Sequence, residues 1–258
     1  MQVHLDAPDL IALLLAVARI GGWLAVAPPF STRGVIPVPA KAALAVGLAL
    51  PAVPTLVSRP LPESTPALIG ALAAELLTGL ALGFVVLVLV SIFSTAGSFA
   101  DLFGGIVLPP SLDPLSQNQV PLIGQLYEQV ALVLLFATGG ELLIVRALIG
   151  SFATSSGFGV GIGGAGGLAR GLTTELVTLF VAAIEIAGPV LLVLFMAQVV
   201  LGLLAKVAPQ TNVFVLGFPF QVLVTILVVT VSVRELPGAV IHVVDRVLSD
   251  MGGLLRSG

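Results

Sequence analysis

The sequence predicts an all-α integral membrane protein with about six long apolar helices arranged in hairpins. Of its 258 residues, 58% are hydrophobic and only 9% are charged, whereas about a quarter of the residues in soluble globular domains are charged. Apolar runs long enough to cross a bilayer recur along the chain. They are interrupted once, over residues 98–124, by a stretch that is apolar but rich in proline and glycine. This stretch predicts an irregular, plug-like central loop.

Composition also argues against several classes of site. The formal net charge is −3 and the Lys and Arg residues do not cluster, so we expect no nucleic-acid partner. The absence of cysteine excludes disulfides and iron–sulfur clusters. The only histidines, His4 and His242, lie near opposite ends, so we expect no metal site and no cofactor. The N-terminus lacks the basic start of a secretory signal, so we expect the first apolar run to remain in the mature protein.

Six apolar segments are predicted to be helical, and they cover residues 10–27, 40–57, 67–98, 122–152, 172–207 and 213–233. Asp9 is the expected N-terminal cap of the first segment. A charge at membrane depth is costly unless it is paired, so we expect the Arg19 side chain to face protein and to be paired there. Gly79 and Gly83 form a small-xxx-small pair, which predicts close approach by another helix.

Polar side chains line the helices on both sides of the central stretch. Ser91, Ser94, Thr95 and Ser98 recur at helical spacing before it, and Gln125, Glu128 and Gln129 share a face after it. Two polar faces flanking an obstruction predict a wet passage. The alternative is that the Ser and Thr hydroxyls bond back to backbone carbonyls inside a buried bundle.

The central stretch is predicted to be non-helical because Pro109, Pro110 and Pro114 remove backbone donors, and Gly104 and Gly105 favour turns. Its apolar side chains make it unlike a solvated loop. A segment of this kind must be buried in protein or line a cavity, because hydrocarbon cannot satisfy free amide groups.

The second half of the chain carries further signals. The glycine-rich residues 155–167 contain G-x-G-x-x-G, but no strand precedes the motif, so a flexible linker is expected. Gly188-Pro189 should kink the fifth helix close to Glu185. A short connector around Lys206, Pro209 and Gln210 predicts an antiparallel hairpin with the sixth helix. An amphipathic stretch is expected over residues 240–248, and the positive charges of the first and fifth connectors favour an external N-terminus.

Several motifs together resemble one family, the flagellar FliR and injectisome SctT export-gate proteins. The matching residues are Arg19, Pro29-Phe-Ser-x-Arg33-x-x-Pro37-x-x-x-Lys41, Glu75-x-x-x-Gly79-x-x-x-Gly83, Asp113-Pro114, Gln119-x-Pro-Leu-Ile-Gly-Gln125 and the block from Leu201 to Pro219. The resemblance covers nearly the whole chain. The Gly217-Phe218-Pro219 ending looks more flagellar than injectisome.

The resemblance implies a non-catalytic export-gate subunit in the bacterial inner membrane, within the flagellar basal body. The expected partners are FliP-like and FliQ-like subunits, FlhB-like and FlhA-like components, unfolded export substrates and membrane lipid. Residues 1–170 would be FliP-like and include a plug over residues 99–121, and residues 171–258 would be a FliQ-like hairpin and tail. The plug or gate residues would be Phe103, Gly105, Ile106, Val107, Leu108, Leu112, Asp113 and Pro114. Arg19, Glu75, Gly79 and Gly83 would serve subunit packing.

Other function classes compete with this interpretation. An injectisome export gate is the first alternative. A secondary transporter is the second, because broken helices and buried charges also mark substrate sites, although no internal repeat supports it. An intramembrane hydrolase would need paired acids such as Asp101 and Asp113, but Asp113 before Pro114 is typical of a turn.

Overall fold

The computed structural model describes residues 6–31, 36–106, 121–154, 164–207 and 213–256, and all regular structure in these residues is helical. We number the α-helices in chain order as α1 Ala7–Val26, α2 Val38–Ala49, α3 Val53–Val57, α4 Thr65–Phe103, α5 Leu122–Ala137, α6 Gly140–Thr154, α7 Gly164–Val207, α8 Val213–Ser232 and α9 Leu236–Arg256. Within the described residues, five stretches are long and apolar enough to cross a membrane, or six if α5 and α6 form one bent span. The predicted all-α membrane class is therefore confirmed.

The chain forms two compact units. Unit 1 comprises Met1–Leu89, Gly139–Leu176 and Val243–Gly258, and unit 2 comprises Val90–Thr138 and Val177–His242. The boundaries fall inside α4, α7 and α9 and between α5 and α6, so the units do not follow sequence order. The FliP-like and FliQ-like division at residue 170 stays a prediction.

Unit 1 is built on α1, which packs against α2 and α3. The prediction of Asp9 as the cap of α1 is wrong, because the helix begins at Ala7 and Asp9 lies in its first turn. The Asp9 carboxylate instead accepts a hydrogen bond from the Asp6 backbone N–H at 3.2 Å. Further along, the buried residues Leu15, Ala16, Arg19, Ile20 and Trp23 recur at helical spacing and form one face of the core.

Helix α4 is longer than predicted. The central break was expected to begin at Ser98, but the helix continues to Phe103. Ser98 does not end the helix because its hydroxyl donates to the Ser94 carbonyl oxygen at 2.7 Å, a bond that a helix accommodates. Gly105, two residues beyond the end of the helix, has a positive φ of 69°. The glycines therefore terminate the helix, and residues 99–103 of the expected plug are helical.

The fourth predicted segment consists of two helices, not one. Helices α5 and α6 are bent by 73° relative to each other. Gly139 lies between them with φ at 72°, a conformation that glycine adopts without the usual steric penalty. Thr138-Gly139-Gly140 was the sequence signal for this bend.

Helix α7 begins at Gly164, so residues 164–167 of the expected linker are helical, while residues 155–163 lie outside the described residues. Pro189 lies inside α7, and the kink there stays a prediction. The amphipathic tail is confirmed, because Val240, Val243, Val244 and Val247 on α9 are buried while Asp245 and Arg246 are exposed.

Candidate functional site

The central break begins in unit 2 with a helix end built from two glycines. The Ile106 N–H donates to the Asp101 carbonyl at 3.2 Å, and the Gly104 N–H donates to the Ala100 carbonyl at 2.8 Å. Together with the positive φ of Gly105, the bond from Ile106 to Asp101 is typical of a Schellman motif. This motif ends α4 sharply.

The last carbonyls of α4 accept hydrogen bonds from side chains of two other helices. The side-chain amides of Gln198 on α7 and Gln221 on α8 both donate to the Phe103 carbonyl, at 2.9 and 2.8 Å. The Thr225 hydroxyl lies 3.3 Å from the Gly104 carbonyl and 2.8 Å from the Gln221 carbonyl. A helix end leaves such carbonyls without intrahelical partners, and these three side chains supply them.

Gly104 is required by the same packing. A Cβ added there would lie 2.6 Å from the Thr225 methyl carbon and 2.5 Å from the Ala100 carbonyl oxygen. Gln221 is 7% exposed, and its Oε1 is buried with no hydrogen-bond partner among the described residues. The side-chain NH2 group of Gln221 therefore donates to α4, while its side-chain oxygen accepts no hydrogen bond from the described residues.

Asp101 connects the end of α4 to the start of α5. Its two carboxylate oxygens accept hydrogen bonds from the Ile123 and Gly124 N–H groups, at 3.1 and 3.0 Å. Asp101 is 1% exposed. A carboxylate at a helix N-terminus satisfies free donors and is favoured by the helix dipole. Asp101 thus caps a helix that begins on the far side of the break.

The same two helices touch backbone to backbone. A Cβ added at Gly97 would lie 2.6 Å from the Ile123 carbonyl oxygen. A Cβ added at Gly124 would lie 2.7 Å from the Ser98 hydroxyl and 3.0 Å from the Ser94 carbonyl. We call the whole cluster the break base, and it consists of Gly97, Ser98, Asp101, Phe103, Gly104, Ile123, Gly124, Gln198, Gln221 and Thr225.

The predicted pore-facing residues have different surroundings. Ser91, Ser94, Thr95 and Ser98 are half-buried in this chain, Glu128 is half-buried, and Gln125 is exposed. Ser94 and Ser98 are brought against Gly124, and Ser98 bonds back to a carbonyl as the alternative interpretation expected. The pore-facing role stays a prediction.

Only part of the predicted plug is described. Phe103 is exposed, and Gly105 and Ile106 are half-buried. Val107, Leu108, Leu112, Asp113 and Pro114 lie outside the described residues. In the predicted hairpin, Lys206 is exposed near the end of α7, and Pro209 and Gln210 lie outside the described residues.

A second buried polar cluster lies in unit 1, where Arg19 forms an ion pair with Glu75. The Arg19 Nε and Nη2 donate to the two Glu75 carboxylate oxygens at 2.5 and 3.0 Å, and both residues are fully buried. Nη1 donates to the Ser151 hydroxyl at 2.9 Å, and the guanidinium carbon lies 4.2 Å from the centre of the Phe152 ring. The predicted pairing of Arg19 is confirmed. We call these four residues the ion cluster.

The small-xxx-small pair lies beside the ion cluster. A Cβ added at Gly79 would overlap the Arg19 carbonyl oxygen, and one added at Gly83 would lie 2.8 Å from the Trp23 carbonyl oxygen. The predicted close approach is therefore confirmed, and the neighbouring helix is α1 of the same chain. The role of Arg19, Glu75, Gly79 and Gly83 in subunit packing stays a prediction.

Glu141, Glu185 and Arg146 are further charged residues of the apolar segments. Glu141 is half-buried, and its Oε2 has no hydrogen-bond partner among the described residues. Glu185 and Arg146 are exposed. The described residues contain no group of three His, Cys, Asp or Glu side chains able to hold a metal ion.

Sequence reasoning missed several of these residues. Gln198, Gln221 and Thr225 were not singled out. An isolated amide in an apolar helix indicates a polar contact within the protein, and on α8 a threonine follows the amide four residues later. Asp101 was weighed as one of the paired acids of a possible hydrolase and was not identified as a cap. Its partners follow the break in sequence, so no local pattern indicates the contact.

Comparison with known proteins identifies relatives over nearly the full length. The chain matches the family model for bacterial export proteins, family 1, over residues 10–247. It is 28% identical to the flagellar biosynthetic protein FliR of Bacillus subtilis (strain 168) over 250 residues, which cover 95% of this chain and 94% of that one. Its identity to FliR of Escherichia coli (strain K12) is 28% over 208 residues, covering 81% and 78% of the two chains. The surface presentation of antigens protein SpaR of Shigella sonnei is 26% identical over 155 residues, covering 60% and 59%.

The family match runs from α1 into α9 and includes both clusters and both ends of the central break. It agrees with the apolar helices that give the chain its membrane character. The chain belongs to the bacterial export proteins, family 1.

Proposed function

We propose that this chain is a core subunit of the flagellar type III protein export gate. It forms a channel for unfolded export substrates together with FliP-like and FliQ-like subunits, and it closes this channel with the residues between α4 and α5. It works beside FlhA-like and FlhB-like components in the inner membrane, at the flagellar basal body. It carries no catalytic group of its own.

The break base is the observation that carries this proposal. A membrane helix that merely ended would need no buried carboxylate hydrogen-bonded to the next helix and no hydrogen bonds from side-chain amides of two further helices. Here the end of α4 and the start of α5 are both held by side-chain hydrogen bonds, so the break is a built feature. Non-helical backbone at membrane depth occurs where it is buried in protein or lines a cavity.

The ion cluster supports membrane embedding. Its opposite charges neutralise each other inside unit 1, so α1 and α4 need not expose either charge to lipid.

Many large apolar side chains on α7 and α8 are exposed in this chain, for example Leu192, Phe195, Leu203, Leu223 and Leu227. Lipid and partner helices are the surroundings that suit such surfaces.

Deletion of residues 106–112 in the assembled complex tests the gate. The deletion removes apolar side chains that would form the seal, so membranes that contain the complex should become leaky to ions and small solutes. The complex should still be recovered with its FliP-like and FliQ-like subunits. A matched deletion of residues 157–163, which has equal length but lies outside the break, should leave the membranes tight.

Two results would contradict the proposal. One is an intact complex that stays as tight as wild type after deletion of residues 106–112. The other is a chain that purifies from native membranes as a stable, monodisperse monomer without FliP-like or FliQ-like subunits. The first would assign the break to structural packing, and the second would remove the chain from the assembly.

The match to SpaR supports a second candidate, an injectisome export gate. It covers 60% of the chain, whereas the match to the Bacillus FliR covers 95%, so the flagellar assignment is favoured. Deletion of the gene distinguishes the two, because loss of flagella with normal effector secretion supports the flagellar gate.

A further inference from the structure

We propose that the break base is a fixed joint, and that Asp101 is the positioning residue that keeps α4 bound to α5 during transport. This inference rests on the proposed function and specifies which part of the gate does not move. Opening then takes place without separation of the end of α4 from the start of α5.

The carboxylate of Asp101 is the first reason. It is almost fully buried, and both of its oxygens are used by N–H groups of α5. Burial removes the water that would otherwise compete for these donors, so the two hydrogen bonds are stronger than they would be at a surface. Separation of the helices would leave the buried oxygens of Asp101 and the two N–H groups of α5 without these partners.

The contact between the helix backbones is the second reason. Gly97 on α4 and Gly124 on α5 have no room for a Cβ, because carbonyl groups or a hydroxyl of the opposite helix occupy that space. Helices packed at this distance cannot slide or rotate without backbone overlap. The joint is therefore held by the close packing of the two backbones as well as by hydrogen bonds.

The end of α4 is fixed independently of α5. Gln198 and Gln221 donate to the Phe103 carbonyl from two different helices, and Thr225 lies against Gly104. These contacts attach the helix end to α7 and α8. The last turn of α4 is thus bound to α5, α7 and α8 through residues that all belong to unit 2.

A disulfide across the joint tests the proposal directly. The chain has no cysteine of its own, so a Ser98→Cys/Gly124→Cys pair introduces the only thiols. A Cβ at Gly124 would lie 2.7 Å from the Ser98 hydroxyl oxygen, the atom that leaves least room for it. In the double variant that oxygen is replaced by the sulfur of the disulfide, so the close contact becomes part of the bond between the two helices. In cells that make the double variant as their only version of this protein, oxidation should form the disulfide in the resting complex. Export of a tagged substrate should then stay within about twofold of the reduced state, because the bond joins groups that remain in contact.

Two outcomes of the cross-linking experiment would contradict the fixed joint. If oxidation stops export and a reductant restores it, the helices separate during transport and the fixed joint is refuted. If no disulfide forms in a complex that has assembled with its partner subunits, the two helices are not in contact in the resting complex, and the proposal also fails. The single variants Ser98→Cys and Gly124→Cys are the matched controls for the effect of each substitution alone.

Substitution of Asp101 gives an independent test. Asp101→Ala removes both acceptors, and we expect export to fall by at least about tenfold, the change that loss of one charge-assisted hydrogen bond produces. Asp101→Asn keeps one acceptor oxygen, so export by this variant should lie between that of the Asp101→Ala variant and that of wild type. The oxidised cysteine pair should restore export in the Asp101→Ala chain, because a covalent joint replaces the carboxylate.

A different role for Asp101 gives different results. A carboxylate that carries protons, or that faces substrate as a charge, should lose its function equally in Asn and Ala, and a disulfide should not restore it. Either result contradicts the positioning role. The comparison of Asp101→Asn with Asp101→Ala needs no cysteine, so it tests the positioning role of Asp101 even if Gly124→Cys alone prevents assembly.

Failure of the joint is distinguishable from failure of the proposed function. If cells that lack the chain still export the substrate, the proposed function is wrong whatever the cross-link shows. If export requires the chain but is blocked by the disulfide, only the fixed joint is wrong.

Discussion

The ion cluster of unit 1 and the break base of unit 2 each contain a buried acidic side chain, Glu75 or Asp101, but they stabilise helices in different ways. In the ion cluster, two side-chain charges satisfy each other between uninterrupted parts of α1 and α4. In the break base, side chains satisfy backbone groups that are free only because two helices end there. The first arrangement joins two helices, and the second holds the two sides of an interruption. Loss of a side chain therefore leaves a buried charge in unit 1 and a free backbone group in unit 2.

The largest effect should come from Glu75→Ala, which leaves Arg19 buried without its carboxylate. We expect a loss of about 3–5 kcal/mol in the free energy of unfolding, typical of a buried ion pair with one partner removed. The measurement is the thermal stability and the amount of folded protein in membranes. Glu185→Ala, at an exposed glutamate of α7, is the control and should change little. Equal stability of the two variants would contradict the role of the ion cluster.

Gly79→Ala should have the next largest effect. The added methyl group overlaps the Arg19 carbonyl oxygen, so α1 must move away from α4, at an expected cost of about 1–3 kcal/mol. Gly70→Ala lies on the same helix, where a Cβ meets open space, and should be neutral or slightly stabilising. Both variants are compared by thermal unfolding in detergent. A Gly79→Ala chain as stable as the Gly70→Ala chain would show that the close approach is not needed.

The amides of the break base should give the smallest single effects. Gln198→Leu or Gln221→Leu alone leaves the other amide on the Phe103 carbonyl, and the Gln221 variant also removes an unpartnered buried acceptor. The double variant leaves that carbonyl unsatisfied and should lose about 1–3 kcal/mol, more than the sum of the singles. A double-mutant cycle measures this coupling, with Gln129→Leu on an exposed site as the control. Strictly additive losses would mean that the two amides act separately.

The sequence predicted the periodic parts of this fold and missed the contacts between distant residues. The buried charge of Arg19 requires a partner, so its pairing was predictable, but Glu75 lies on another helix and no local pattern selects it. Gly79 and Gly83 indicated a close approach without showing that α1 is the neighbour. The break was predicted to start at Ser98, whereas α4 continues to Phe103 and ends at Gly104-Gly105.

The residues of the break base show the same limit. Asp101 was visible as an acid near a break, yet its role as a cap depends on where α5 begins after the intervening residues. Gln198 and Gln221 are on different helices and meet only at the Phe103 carbonyl. Periodicity places residues on a face of a helix, whereas tertiary packing decides which helix that face meets.

The central claim is that closure depends on the break base, whereas the ion cluster only stabilises the chain. Ion leakage from lipid vesicles containing equal amounts of assembled complex tests this claim most directly. The complex with Gln198→Leu/Gln221→Leu should leak more than wild type, because the end of α4 is no longer held by the two amides. The complex with Ser151→Ala, which removes one hydrogen bond from Arg19, should be less stable but as tight as wild type. Equal leakage from both variants, or leakage from the Ser151→Ala complex alone, would contradict the account.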